Sequence, residues 1–140
     1  KKEIKGLESM AYQAGILDSI PYKAQADLLV QSIKSETAVE KGTESASDMT
    51  KLFDAYKSQD LEVLENLMIK SEAGLGEYMD LLLFKRNHNW IEKMKEILPA
   101  KSVLIAVGAG HLPGDEGVLN LLKKEGYTVE PIDNSRVTEI

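Results

Sequence analysis

Over its first hundred residues the chain places apolar side chains every three to four positions. Helical spacing starts at about Met10 and runs to Leu17. Residues 4–7 before it read as a short strand running into Glu8. Pro21, preceded by Asp18 and Ser19, marks a second helix start, because proline is tolerated in a first turn. Tyr22, Ala26, Leu29 and Ile33 keep the helical period, and Gly42 is its stop. Residues 43–48 are small and polar, as in a loop that ends in a helix cap. Met49, Leu52, Phe53 and Tyr56 follow i, i+3, i+4, i+7, and Asp60 caps a further helix carrying Leu61, Leu64, Leu67 and Met68. Gly74 and Gly76 interrupt, and a longer helix is predicted from about Glu77 to Leu98, ended by Pro99.

The pattern then changes. Residues 102–107 (Ser-Val-Leu-Ile-Ala-Val) form a continuous aliphatic run, which suits a strand buried on both faces. Val118, Leu119, Leu121 and Leu122 predict a helix closed by Lys123, Lys124 and Gly126, and residues 127–132 read as another strand. Strand, helix and strand in about thirty residues predict a βαβ unit over roughly 102–132, with parallel strands and a right-handed crossover. The expected fold class is α/β: a small, mostly parallel sheet with a largely helical cap over roughly 10–98. So few strands for so many helices point to one incomplete domain over residues 1–140.

Composition narrows the functional classes. Seventeen basic against 23 acidic residues give a net charge of −6, which argues against nucleic acid and anionic membrane surfaces as partners. No apolar run approaches the roughly 18 residues needed to span a bilayer. The absence of cysteine excludes disulfides, thiolate metal sites and cysteine nucleophiles. The chain opens on Lys1 without an initiator Met, which is compatible with a removed export signal and an exported or cell-envelope location.

Candidate chemistry centres on Gly108-Ala109-Gly110-His111, a turn just past the carboxyl end of the predicted strand. Ligands of parallel sheets bind in that crevice, and a histidine held there serves as metal ligand, general base or electrophile. A plain glycine turn with an exposed histidine is the competing reading. A phosphate cradle fits poorly, because residue 113 is proline where a third glycine is required and Asp115 and Glu116 would repel an anion. On the 77–98 helix Trp90, Ile91, Met94, Ile97 and Leu98 share one apolar face, with Asn87 near its centre and Arg86 at its flank. Such polar groups find partners in the core or line a site. His88 falls on the other side, beside Glu92. Glu8 ends the first predicted strand much as His111 follows the later one, and Gln13 lies about one helical turn beyond it.

Gly6-Leu7-Glu8 with Gln13, Leu17, Pro21 and Gln25, then Arg86-Asn87, then the run from Val107 to Val129 resemble the blocks of TraB/GumN domains. The family includes Tiki-type metal-dependent proteases and is related more distantly to erythromycin-esterase-like and haem-binding ChaN-like domains. Its members carry two Gly-x-x-His motifs, an acidic residue and an arginine. The resemblance implies that Gly108 to His111 is the second motif, Glu8 the acidic residue and Arg86 the arginine. It implies catalytic roles for Glu8, Arg86 and His111, substrate contacts from Gln13, Asn87, Gly108 and Gly110, and a divalent metal (Mn, Co or Zn) on His111 and Glu8. The first Gly-x-x-His is expected upstream of Glu8, so this stretch is expected to be the later part of a domain without its N-terminal strands, and inactive alone. The expected activity is metal-assisted hydrolysis of a peptide or small-molecule substrate. The alternative is a non-catalytic domain that binds a small molecule, haem or a peptide in the same crevice. A further expectation is self-association through an exposed sheet edge.

Overall fold

A computed structural model describes residues 3–40, 48–69 and 78–132. The chain is built from six α-helices among these residues: α1 (Met10–Asp18), α2 (Tyr22–Glu40), α3 (Asp48–Lys57), α4 (Leu61–Ile69), α5 (Lys85–Ile97) and α6 (Val118–Lys124). A π-helical turn, Asp80–Phe84, leads directly into α5, and a 3₁₀ turn, Ala109–His111, lies between α5 and α6.

Local chemistry accounts for most of the boundaries. Ser9 caps α1 by accepting from the Tyr12 backbone N–H at 3.1 Å. Asp60 Oδ1 accepts from Val63 N at 3.0 Å and caps α4. The helix α6 closes in a Schellman arrangement: Gly126 N donates to Lys123 O and Tyr127 N to Leu122 O. Gly126 adopts φ +89° there, which a side chain would resist. The helix starts expected at Met10, after Pro21 and after Asp60 agree with the structure. The expected stop at Gly42, the loop over 43–47 and the break at Gly74 and Gly76 lie outside the described residues.

The core forms where α5 crosses α6. Trp90, Ile91 and Met94 of α5 pack on Val118 and Leu121 of α6, and Leu7, Leu98, Ile105, Val107 and Leu122 close around them. Elsewhere α3 packs on α4, while α4 and the π turn both meet the 3₁₀ turn.

The expected α/β fold with a parallel sheet is not what forms: no residue among those described is in a β-strand. Residues 102–107 and 127–132 lack helical structure, and no backbone hydrogen bond among the described residues joins the two. The burial pattern gives the reason. A strand inside a parallel sheet is covered on both faces, yet Leu104 is 96% exposed and Ile132 85% exposed. Only Ile105 and Val107 lean on the α5–α6 core, so the aliphatic run covers one side of a helix pair. Residues 4–6 are likewise irregular and exposed. The described residues therefore present no sheet edge through which copies could pair.

Candidate functional site

The first turn of α5 organises the site. Arg86 and Asn87 project from it, and Trp90 from the next turn, toward two separate pieces of chain, the segment before α1 and the 3₁₀ turn. Arg86 grips Glu8: Nη2 donates to Oε1 at 2.5 Å, and Nε lies 3.1 and 3.2 Å from the two carboxylate oxygens. Arg86 Nη1 donates to the Leu82 carbonyl of the π turn at 2.9 Å. The ion pair is largely buried, with the two side chains 13% and 14% exposed. Trp90 Nε1 donates to Glu8 Oε2 at 3.1 Å, and the Arg86 guanidinium sits 5.0 Å from the Trp90 ring centre. Burial pushes the Glu8 carboxyl up, but hydrogen bonds from Arg86 and Trp90, with the arginine charge, hold it below the usual carboxylate range. Lys93 Nζ donates to the Leu7 carbonyl and helps fix this segment on α5.

Trp90 also meets His111, whose ring is 4.4 Å away and tilted by 41°. His111 is buried, as is Asn87 at 1% exposure. The Asn87 amide nitrogen donates to Glu116 O at 2.7 Å and lies 3.4 Å from His111 O, so its oxygen is left to accept. That oxygen is 2.6 Å from His111 Nδ1, which therefore carries the ring proton. No other hydrogen bond engages the ring among the described residues, so none of them occupies the Nε2 lone pair. Burial, then the Arg86 charge, push His111 down to about 4, against a smaller opposing pull from Glu8. At neutral pH the ring is an uncharged acceptor of fixed orientation.

The structure brings Glu8, Arg86, Asn87 and His111 together around Trp90. The sequence reading placed Trp90 only on the apolar face; its position one turn after Arg86 was the available signal. Gln13 is exposed on α1 and its side chain takes no part in these contacts. Asn87 is buried and fully engaged, which suits it to orient His111 more than to touch a substrate. Gly108 has φ −62° and needs no special backbone freedom. Gly110 allows a close approach instead: a Cβ there would lie 2.7 Å from the methyl at the flexible end of Met68, which would have to move. His88 pairs with Glu116 across 2.5 Å, not with Glu92.

A groove of about 410 Å³ runs past Glu8, Tyr12, Trp90, Lys93 and Glu96. A second cavity, about 140 Å³, lies behind Asn87 and Gly110. The described residues do not assemble the metal site expected on His111 and Glu8. No three His, Asp or Glu side chains among them are placed to hold one ion, and both Glu8 oxygens already serve Arg86 and Trp90. A divalent site of this kind takes about three protein donors, and the donors present do not fit one.

The chain is similar in sequence to a set of metalloproteases. Human metalloprotease TIKI1 is 42% identical over 52 residues, covering 35% of this chain and 10% of the relative. Zebrafish metalloprotease TIKI1 is 24% identical over 151 aligned positions, covering 93% of this chain and 31% of the relative. The Nematostella vectensis TIKI homologue is 36% identical over 52 residues, 35% of this chain and 11% of its own length. The chain thus spans less than a third of each of these relatives. No solved structure matches it. The model of the TraB/PrgY/gumN family matches residues 1–131, and the chain belongs to that family.

Proposed function

We propose that the chain carries part of a hydrolytic centre acting on peptide-type bonds. The observation that carries this reading is the Asn87–His111 hydrogen bond, which fixes a buried neutral imidazole and leaves its Nε2 without a partner among the described residues. A neutral imidazole of set orientation takes a proton from attacking water and returns it to the leaving nitrogen. Arg86, its position locked by Glu8 and Leu82 O, supplies positive charge near the oxygen that becomes negative in the tetrahedral intermediate. Glu8 serves as the anchor for Arg86. The groove beside Glu8 and Trp90 offers a polypeptide a place to lie next to the carboxylate that anchors Arg86. Similarity to the TIKI metalloproteases supports the reaction class. No step here runs through a metal, because the donors in the described residues do not fit one.

The test is cleavage of a fluorogenic peptide library by the protein in its longest natural form, with and without Mn²⁺, Co²⁺ or Zn²⁺. The expected result is cleavage that falls at least about 100-fold in His111→Ala. Absence of cleavage under every condition, or cleavage indifferent to His111→Ala, rejects the proposal.

A second reading is a non-catalytic binding domain for a peptide, a small molecule or haem. It is favoured by the saturation of Glu8, whose carboxylate oxygens are both hydrogen-bonded within the protein. Calorimetry separates the two: ligand binding that ignores chelator and Glu8→Ala, in a protein without peptidase activity, supports this second reading.

A further inference from the structure

The 140 Å³ cavity behind the histidine has a composition of its own. Met68 and Ile69 of α4, Met79, and Leu83 and Phe84 of the π turn form its apolar walls. Gly110, Pro113 and Gly114 close it on the side of the 3₁₀ turn. Two glycines set its shape. A Cβ at Gly110 would strike Met68, and one at Gly114, where φ is +84°, would run into the Glu65 carboxylate. Three acidic residues, Glu65, Asp115 and Glu116, complete the lining. Glu116 is hydrogen-bonded by His88 and faces Lys124, but Glu65 and Asp115 have no ion-pair partner among the described residues. No lysine or arginine among the described residues lines the cavity.

We infer that this cavity receives a lysine-like side chain, an aliphatic stem that ends in an ammonium group, from a peptide. Size decides between a side chain and a larger ligand. A volume of about 140 Å³ is below the roughly 300–1,000 Å³ of small-molecule sites. Two methionines among aliphatic and aromatic walls adapt to a flexible methylene chain. Glu65 and Asp115 in the lining, without an ion-pair partner among the described residues, supply the charge complement, and the net charge of −6 favours the approach of a cation. The position ties the cavity to the histidine: Asn87 lines it and also holds His111, and Gly110 directly precedes His111. Use of the cavity as a substrate subsite rests on the hydrolase reading, whereas binding of the side chain does not.

The test is titration of the protein, carbon-13 labelled at the methionine methyls, with n-pentylammonium and with 1-pentanol. The chain has five methionines, and Met94, 1% exposed in the core, serves as the internal control. Pentylammonium is expected to shift the Met68 and Met79 methyls and leave Met94 still. It should bind about three- to fivefold more tightly than pentanol, and Glu65→Gln should abolish that difference. Equal binding of the two probes, or binding unaffected by Glu65→Gln, assigns the cavity to a neutral apolar side chain and overturns the inference. Failure of either probe to move Met68 and Met79 overturns it as well. None of these outcomes depends on peptide cleavage, and failure of the His111→Ala test leaves them unchanged.

Discussion

Acid should destabilise the protein through His111 before its carboxylates titrate. The imidazole has an ordinary value of 6.5 and is held at about 4 in the folded chain. Above pH 6.5 neither state carries the proton, and the histidine adds nothing to the pH dependence. As pH falls from 6.5 to 4, the unfolded chain takes up a proton that the folded chain refuses, and stability is lost; below 4 both states are protonated and the loss levels off. The gap amounts to about 3 kcal/mol in full, of which about 2.5 kcal/mol is lost by about pH 4.5. That is a large share of the roughly 5–15 kcal/mol typical of a domain. Urea unfolding between about pH 7.5 and 4.5 measures it, followed by the fluorescence of Trp90, the only tryptophan, which stacks on His111. His111→Gln removes the titrating group while the other histidine, His88, remains in both proteins. Glu8, whose carboxyl is depressed, loses its contribution only as pH falls below about 4.5, outside this window. Wild type should therefore lose about 2.5 kcal/mol relative to His111→Gln across the range. A difference that stays constant within about 0.5 kcal/mol would refute the claim that a buried neutral imidazole is held here.

Asn87→Leu should cost about 2–4 kcal/mol in chemical denaturation, because His111 Nδ1–H and Glu116 O both lose their partner; a stabilised variant would mean that this face is plain core. Arg86→Met should cost about 3 kcal/mol and raise the Glu8 carboxyl, read by carboxylate NMR, while adding Glu8→Gln should recover part of that loss in a double-mutant cycle. Gly117→Ala should destabilise by about 2–4 kcal/mol, since its methyl would enter the space of the Leu112 and Pro113 carbonyl oxygens, whereas Gly15→Ala, with open space around it in α1, should stabilise by about 0.5–1 kcal/mol. Thermal melts of the two glycine variants should thus move in opposite directions.

The helical part of the fold was legible because its signals are local. Pro21, Asp60 and Gly126 act on backbone groups within a few residues, and the structure uses each of them near where it stands. The segment 77–98 was less legible: its period predicts one helix, but the described part begins with a π turn at Asp80–Phe84 before α5. The sheet was misread for a physical reason. An aliphatic run such as residues 102–107 says that the segment wants cover; it does not say whether the cover is strands or a helix pair. Here α5 and α6 cover Ile105 and Val107, and Leu104 stays exposed.

The site shows the same division between local and distant information. Helical spacing placed Asn87 on the core side of α5, where it is found at 1% exposure. Nothing in that spacing named His111, 24 residues later, as its partner. Likewise Arg86 sits 78 residues from Glu8, and only the fold brings the two together. Trp90 explains why these contacts form one site instead of two separate ion and amide pairs. Its indole N–H holds the Glu8 carboxylate while its ring face carries both the Arg86 guanidinium and the His111 imidazole. Phenylalanine at this position would preserve ring packing and lose the indole donor. If the site is a single unit, Trp90→Phe should raise the Glu8 carboxyl and loosen Arg86, and through the arginine charge it should let the His111 value move up from about 4. An NMR titration in which Glu8 shifts and His111 stays fixed would instead show two independent halves that merely share a helix.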